Sequence, residues 1–371
     1  MRKLRVTLGI LLFLSLVARG QTSYLENTEL MALSDSCLRH TYNFEFNKAR
    51  AYQQELEKRS PEHPAPPFLK GLILYWEQFP LTPEKPETEQ FIHWMSISVD
   101  RSQKLVNQEK SHMEGVFFDL FGRAFMAMFW ADNGKPVKAA SDLRIIYRRT
   151  MEGFRLKDTF VEFYFSTGMY NYYTEAYPEA YPVYKPLVSF IPKGDKKTGL
   201  LQLNHAINHC VYLRVEALQF MALIQLNFEN DLNTATLYAE RLLRENPANV
   251  YYQGLMISIQ LHQYRFDRVE RIIENMKGQD DPYSVMIRTL SAAYMNEWNS
   301  RSDIVSLRDY KQLIKQADAL GPIANHFKAM AFMGLSRLHE KQELHGEAKR
   351  YARKAARYTS FPFILNEKGP L

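Results

Sequence analysis

Two similar helical segments of this chain lie about 34 residues apart, and this spacing limits the folds that the chain can adopt. Ala235 and Val269 occupy the corresponding position in the two segments. Repeats of about 20 to 50 residues are typical of solenoids, in which each unit is too small to bury its apolar face alone and stacks on its neighbours. The spacing predicts an all-α protein, an α-solenoid of antiparallel helix pairs. A chain of 371 residues has room for about seven or eight such pairs.

Helical patterning extends over most of the chain. A small residue precedes a proline by twelve positions, both from Ala49 to Pro61 and from Ala235 to Pro247. A small residue where two helices cross lets them approach closely, and a proline does not continue a helix. Apolar residues recur at spacings of three and four, whereas the alternating pattern of a half-buried strand is absent. Turn-forming residues predict, among others, helices over 46–59, 136–151 and 158–176, and an extended tail from residue 361.

Residues 217–276 resemble tandem tetratricopeptide repeats, a family of helical hairpins with this repeat length. The resemblance implies a right-handed solenoid whose first helices line a concave groove that binds a protein or peptide partner. Some units are divergent, because the repeats between 87 and 200 are longer and irregular. The matching residues are Ala222, Leu223 and Leu226 in a first helix, Ala235, Ala239, Leu242 and Pro247 in a second helix, Met256, Ile257, Val269 and Ile273 in the next copy, and Ser336, Ala348, Ala352 and Ala355 near the C-terminus.

Residues 1–20 have the three parts of a secretory signal peptide. A basic start precedes an apolar run over residues 6–17, and Ala18 and Gly20 place small side chains before a cleavage site at Gln21. This run is shorter than the ~20 residues that span a bilayer, which disfavours the alternative, an uncleaved anchor. We therefore expect a secreted or periplasmic protein of residues 21–371, arranged as a single helical-repeat domain. A signal that ends in Gly-Gln also resembles those of secreted Bacteroidota proteins.

Signal cleavage changes the charge of the chain. The full sequence has 47 lysine and arginine residues and 41 acidic residues, a formal charge of +6. Residues 1–20 include four of the basic residues and none of the acidic ones, which leaves 43 against 41 in the mature chain. A nearly neutral chain gives no electrostatic reason to expect a nucleic-acid partner. Asp119 and Arg123 lie within the most apolar stretch, so a core helix is favoured there over a membrane span.

The cysteines and histidines give little indication of chemistry. Cys37 and Cys210 are the only cysteines, and a solenoid would hold their segments far apart, so free buried thiols are favoured over a disulfide. His205 and His209 have the i, i+4 spacing of a zinc site on a helix. No glutamate follows His205 in a His-Glu-x-x-His motif and no third ligand is evident, so we expect no metal and no other cofactor.

A tyrosine-rich segment, residues 170–195, interrupts the regular pattern and contains four prolines. Tyrosine offers a large amphipathic contact surface, which suits peptides or sugar rings. The alternative is that the rings pack at an irregular helix end and their hydroxyls reach water. The candidate partner-binding residues, which we call the tyrosine cluster, are Tyr170, Tyr172, Tyr173, Tyr177, Tyr181 and Tyr184.

The sequence contains no nucleophile elbow, phosphate loop, dinucleotide fingerprint or catalytic cysteine–histidine signature. We therefore expect a scaffold without enzymatic activity, which binds a protein or peptide partner in the cell envelope through its concave groove. The alternative is a glycan-binding helical protein that resembles the tetratricopeptide-based nutrient-uptake components of Bacteroidota. The tyrosine cluster favours this alternative, whereas the absence of a lipid-anchor cysteine at the cleavage site counts against it.

Overall fold

The structure is a computed structural model that describes residues 23–182, 185–299 and 302–368, and within these ranges it consists of helices joined by turns. Sixteen helices of at least ten residues follow one another, and each packs against the next. They form eight helical hairpins, which confirms the predicted all-α architecture of stacked pairs. The predicted signal peptide, residues 1–20, lies outside the described residues. The helices are α1 (Thr28–Tyr42), α2 (Phe46–Arg59), α3 (Ala65–Glu77), α4 (Glu87–Val106), α5 (His112–Asp132), α6 (Leu143–Leu156), α7 (Phe163–Ala180), α8 (Lys196–His209), α9 (Arg214–Asn227), α10 (Leu232–Glu245), α11 (Val250–His262), α12 (Phe266–Asn275), α13 (Pro282–Trp298), α14 (Asp303–Leu320), α15 (Asn325–Lys341) and α16 (His345–Ala355).

In each hairpin the first helix has a larger buried fraction than the second helix. In the sixth hairpin twelve of the thirteen residues of α11 are buried, but in α12 only Val269 is. First helices also contact the first helices of neighbouring hairpins: α1 lies against α3, α3 against α5, α11 against α13, and α13 against α15. The first helices therefore form an inner layer and the second helices an outer layer, as in an α-solenoid.

Five hairpins share one turn after their first helix. In each, a residue with φ between 53° and 67° lies two positions before the next helical segment begins. In four of these turns the next backbone N–H donates to a carbonyl five residues earlier, as from Arg265 to Gln260 at 3.0 Å, which is the closing bond of a Schellman motif. A left-handed backbone favours glycine, yet only one of the five residues is glycine. The packing of the helices therefore imposes the turn. The residues are Phe44, Gly134, Asn230, Tyr264 and Glu343.

Small side chains lie where the two helices of a hairpin cross, as the sequence predicts. Ala49, Ala235, Val269 and Ala348 are each the fourth residue of a second helix, and each is at most 2% exposed. Ser336, in the first helix of the last hairpin, donates a hydrogen bond from its hydroxyl to the Ala348 carbonyl at 2.8 Å. The small residues therefore bring the two helices close enough for a side chain to reach the main chain across the crossing.

The interval between successive first helices is close to 34 residues in the part of the chain where the sequence shows the repeat. The first helices α9, α11 and α13 begin at positions 214, 250 and 282, whereas α3, α5 and α7 begin at positions 65, 112 and 163, at clearly longer intervals. The expected helices over 136–151 and 158–176 are wrong at their boundaries: two short turns over 136–142 precede α6, and α7 begins at Phe163. Helix α7 also runs through Pro178, which lies in its last turn and removes one backbone hydrogen bond there. Residues 170–180 of the tyrosine-rich segment are therefore helical.

The stack of hairpins curls until its first hairpin contacts the sixth. Asn249, just before α11, donates to the Tyr42 carbonyl at 2.9 Å, and the Tyr212 hydroxyl donates to Ser34 at 2.9 Å. The ring of Phe79, which follows α3, has its centroid 5.2 Å from that of Tyr283 in α13. These long-range contacts bring the first helices of distant hairpins together.

The apolar stretch in α5 contains a buried network of ion pairs. The Asp119 carboxylate, 1% exposed, accepts from Arg123 Nε at 2.8 Å and from Arg149 Nε at 2.7 Å. Arg123 also pairs with Asp142 at 2.9 Å, which holds the turns before α6 against α5. In the described part of the chain, no helix combines the length and apolarity that a membrane crossing requires.

The C-terminal tail packs against the inner layer. The expectation that it is extended is wrong, because Pro362–Leu365 form a short helix. Ile364 is fully buried, and the Phe363 ring centroid lies 4.7 Å from that of His262 in α11. The apolar side chains of this segment thus gain a buried surface that an extended tail in solvent would lack.

A buried arginine fixes the tail to α13 and α15. The Arg337 guanidinium donates to both carboxylate oxygens of Glu297, at 2.8 and 2.9 Å, and to Glu367 of the tail at 2.8 Å. The Tyr310 hydroxyl donates to Glu297 at 2.6 Å, and the Tyr294 hydroxyl donates to Glu367. Two carboxylates thus surround one cation in the interior, and each carboxylate has a tyrosine as a second partner.

Replacement of Arg337 tests how far this network stabilises the fold. The substitution Arg337→Met leaves Glu297 and Glu367 buried without their cation, and the loss of one partner of a buried ion pair costs about 3–5 kcal/mol. We expect a lower free energy of unfolding in urea and faster proteolysis of the tail. The control is Arg350→Met, which removes an exposed pair with Glu347 and should change stability by less than about 0.5 kcal/mol. Equal stability of the two variants would contradict a structural role for the network.

Candidate functional site

Two adjoining pockets, each of about 620 Å³, lie between the first helices and α6, and together we call them the channel. The apolar pocket is formed by α5, α6, α7 and α9. The mixed pocket is formed by α3, α5, α7, α9, α11, α13, the start of α15 and the C-terminal tail. Concave cavities with apolar and aromatic walls are the usual places for ligands in proteins. Both pockets are lined by Phe125, Met128, Tyr177, Glu216 and Phe220, which together form the junction of the pockets.

The apolar pocket has part of the tyrosine cluster in its wall. Tyr170, Tyr173 and Tyr177 line it, together with apolar residues such as Phe121 and Met169. The Tyr170 hydroxyl donates to the Pro192 carbonyl at 2.6 Å, which ties the irregular segment to α7. Burial raises the pKa of Tyr173, so its phenol is neutral at physiological pH. These rings present an uncharged, largely apolar wall to the channel.

The rest of the tyrosine cluster lies elsewhere. Tyr172 is fully buried, and its hydroxyl donates to Glu229, so its ring offers no surface to a partner. Tyr181 is not among the residues that line the two pockets, and its hydroxyl lies 2.6 Å from that of Ser360 in the tail. Tyr184 lies outside the described residues. The structure therefore divides the tyrosine cluster between a pocket wall, core packing and a contact with the tail.

The mixed pocket has aromatic walls and four buried polar atoms that have no hydrogen-bond partner in the protein. Trp76 Nε1 is an unpartnered donor, Glu216 Oε2 and Asn227 Oδ1 are unpartnered acceptors, and the Tyr283 hydroxyl is unpartnered as well. A buried polar atom without a partner costs about 1–3 kcal/mol, so native proteins contain few of them. Residues in the wall of this pocket thus carry four of the twelve buried polar atoms that lack a partner in the described part of the chain.

Glu216 is one of the residues of this site that the sequence analysis missed, as are Asp132 and Trp76. It lies in the first turn of α9, and Phe220, Leu223 and Asn227 follow it on the same face of the helix. All four residues line the mixed pocket. An acidic residue on an otherwise largely apolar helical face is the signal in the sequence that points to this site.

Glu216 differs from Glu162, a buried carboxylate with a structural role. Glu162, 1% exposed, accepts hydrogen bonds from the backbone N–H groups of residues 211–213 at 2.5, 2.9 and 3.0 Å. Burial raises the pKa of Glu162 to about 7, although these three donors lower it. Glu216, 8% exposed, forms no ion pair in the described part of the chain, and burial raises its pKa to about 8. Glu162 fixes a turn, whereas Glu216 faces the channel.

Asp132, at the end of α5, is the second carboxylate of the mixed pocket. Its side chain is accessible from the channel, yet desolvation by the surrounding protein raises its pKa to about 6. His326 lies in the same pocket, and desolvation lowers its pKa to about 3, so its imidazole is neutral. Neither pocket is lined by a lysine or an arginine. The channel therefore contains acidic groups and no cation from the described protein.

The histidine pair and the cysteines lie outside the channel. His205 and His209 line a separate surface pocket, with their ring centroids 4.3 Å apart. Desolvation and, to a smaller extent, His209 lower the pKa of His205. The described residues include no group of three or more His, Cys, Asp or Glu side chains that could hold a metal ion. Cys37 and Cys210 are both free and buried.

No family model, curated protein or solved structure matches this chain. The candidate site is therefore defined by the geometry of this chain alone. Its parts are the apolar pocket, the unpartnered polar atoms of the mixed pocket, and two carboxylates without a cation.

Substitution of Glu216 tests whether the fold tolerates or requires this carboxylate. Its pKa of about 8 lies above the ordinary value of 4.5, so the native protein binds more protons than the unfolded chain between these pH values. The contribution of Glu216 to stability is therefore present below about pH 4.5 and is lost as the pH rises toward 8. Glu216→Gln removes this loss of unfolding free energy, which is on the order of 1 kcal/mol per pH unit between these two pH values. We expect the Tm of Glu216→Gln to exceed that of the wild type at pH 8.5 by more than at pH 5.

The matched comparison is Glu162→Gln. A glutamine at position 162 keeps one oxygen acceptor and turns an NH₂ group toward backbone N–H donors, which leaves at least one donor unsatisfied at a cost of about 1–3 kcal/mol. We expect a lower Tm than the wild type at both pH values, measured by circular dichroism. If Glu216→Gln lost as much stability as Glu162→Gln, Glu216 would be a structural residue and not part of a binding site.

Proposed function

We propose that this chain is an exported, right-handed, tetratricopeptide-like scaffold without enzymatic activity, whose channel binds an extended segment of a partner protein in the cell envelope. The observation that carries this proposal is the position of the chain's own C-terminal tail. Phe361 and Phe363 of the tail line the mixed pocket. A polypeptide segment with aromatic side chains thus already lies against this surface, and a partner segment of the same kind suits the surface next to it.

The chemistry of the channel also supports a polypeptide ligand. The apolar pocket is large enough for several apolar side chains, and Met128 at the junction has a flexible side chain that adapts to different shapes. An extended peptide carries backbone N–H and C=O groups at short intervals. Trp76 Nε1 and Asn227 Oδ1, an unpartnered donor and an unpartnered acceptor, are complementary to those two groups.

Peptide selection tests the proposal on the mature chain. A display library of random 12-residue peptides is selected on the wild-type protein and then counter-screened on Met128→Arg, in which a long side chain fills the junction of the two pockets. We expect selected peptides to lose at least tenfold in affinity for Met128→Arg, measured by fluorescence anisotropy. The control variant is Leu237→Arg in the outer helix α10, where the native side chain is 66% exposed; it should bind the peptides like the wild type.

Selected peptides that bind Met128→Arg as tightly as the wild type, or that lose affinity only for Leu237→Arg, would contradict a binding role for the channel. A selection that yields no peptide with affinity for the wild type would contradict the peptide-binding function itself.

A glycan ligand is the second candidate, and the mixed pocket is the observation that favours it. Aromatic rings such as those of Tyr75 and Trp76 stack on sugar faces, and Asn227 and Asp132 can accept hydrogen bonds from hydroxyls. Against it, the adjoining apolar pocket has few polar groups to satisfy a sugar. Oligosaccharide binding that is lost in Trp76→Phe, together with a failed peptide selection, would favour the glycan over the peptide.

A further inference from the structure

The buried carboxylates of this protein are matched to donors within the protein, with one exception. In the described part of the chain, five of the six buried acidic side chains accept hydrogen bonds or form ion pairs with a neighbour. Glu216 is the sixth, and it is the only acidic residue with a buried oxygen that lacks a partner. The five matched residues are Glu114, Asp119, Glu162, Glu297 and Asp309.

A cation for the ionised form of Glu216 would have to come from the channel. A carboxylate that is removed from water is stabilised by a cation or by several hydrogen-bond donors, and the described protein supplies neither at this position. Glu216 lines both pockets, and Asp132 adds a second unpaired carboxylate to the mixed pocket. Since neither pocket wall includes a lysine or an arginine, the charge of the channel is complementary to a cation from outside.

The aromatic walls indicate which kind of cation fits. Divalent metal ions prefer several oxygen ligands, and no group of acidic and histidine side chains in the described residues is arranged to hold one. An organic cation, in contrast, interacts favourably with both carboxylates and aromatic faces. Tyr75, Trp76 and Tyr251 line the mixed pocket together with Glu216, so both kinds of partner are present.

The same chain contains a similar environment in which the cation is present. Arg337 pairs with Glu297 and Glu367, and its guanidinium carbon lies 5.2 Å from the centroid of the Tyr294 ring and 5.7 Å from that of Trp298. A carboxylate beside tyrosine and tryptophan rings is therefore the setting in which this fold holds an arginine. The mixed pocket has the carboxylates and the rings without the arginine.

We propose that the partner segment carries a lysine or arginine that pairs with Glu216 and Asp132 in the channel, while apolar residues beside it occupy the apolar pocket. This inference rests on the proposed function, because it specifies the chemistry of the segment that the channel binds. Apolar flanks alone would fill the pocket but leave the two carboxylates without a cation. A basic residue between apolar residues satisfies both parts of the site at once.

The peptides selected on the wild-type protein provide the test. We expect a basic residue at one fixed position with apolar residues on either side. One selected peptide is then synthesised in three forms that differ at this position: lysine, norleucine, which keeps the aliphatic chain without the charge, and glutamate. We expect the lysine form to bind at least tenfold more tightly than the norleucine form, and the glutamate form to bind more weakly than both, in anisotropy titrations at 0.15 M salt.

Protein variants assign the charge preference to the two carboxylates. Glu216→Gln should abolish the preference for lysine, so that the lysine and norleucine peptides bind this variant with equal affinity. Asp132→Asn should reduce the preference for lysine in part, which gives a second and more exposed position for the same test. Glu270→Gln, at an exposed carboxylate of the outer helix α12, should behave like the wild type.

The outcomes separate this inference from the proposed function. If channel-dependent peptides are selected but lack a basic residue, or if the norleucine peptide binds as tightly as the lysine peptide, the inference is overturned and peptide binding stands. If the preference for lysine persists in both Glu216→Gln and Asp132→Asn, the cation binds elsewhere and the assignment is wrong. If no selected peptide depends on the channel, the proposed function and the inference fail together.

Discussion

The packing of the first helices against one another is the interaction on which the rest of this structure depends. A helix such as α11, buried over twelve of its thirteen residues, has no stable position outside the stack, because most of its surface requires a neighbour. The second helices cover one side of each first helix, and the neighbouring hairpins cover another. What remains is the side that faces the axis of the stack. Large aromatic residues occupy that side, so the channel follows from how the solenoid buries its apolar surface.

The sequence predicts the parts of the fold that depend on local pattern. The positions of Ala49, Ala235, Val269 and Ala348 could be read from spacing alone, because a helix crossing with little space restricts the residue type directly. The shared turn could not be predicted in this way. Phe44, Tyr264 and Glu343 adopt a left-handed backbone that their residue types disfavour, and the packing of the two helices imposes it.

The candidate site was partly predictable from the residue composition of the tyrosine-rich segment. Three of the six predicted tyrosines line the apolar pocket, since composition identifies residues that suit a binding surface. Composition does not distinguish Tyr170 from Tyr172, which lie two positions apart on different faces of α7. The mixed pocket combines residues from seven helices and the tail, and the curl of the stack that brings Phe79 to Tyr283 depends on contacts about 200 residues apart. Tertiary closure of this kind leaves no local signal in the sequence.

The tail and the two carboxylates together are the basis of our proposal that the channel binds a second polypeptide. The Arg337–Glu367 ion pair anchors the tail to α15, and Phe361 and Phe363 of the tail lie in the wall of the mixed pocket. The residues that the tail places there are apolar and leave Glu216 and Asp132 without a cation. Elsewhere in the described interior the fold pairs its buried charges within the chain, as it does for Asp119 and Glu297. A fold that pairs its other buried acidic groups internally and leaves one beside an aromatic channel is therefore consistent with our proposal that a separate molecule supplies the remaining partner.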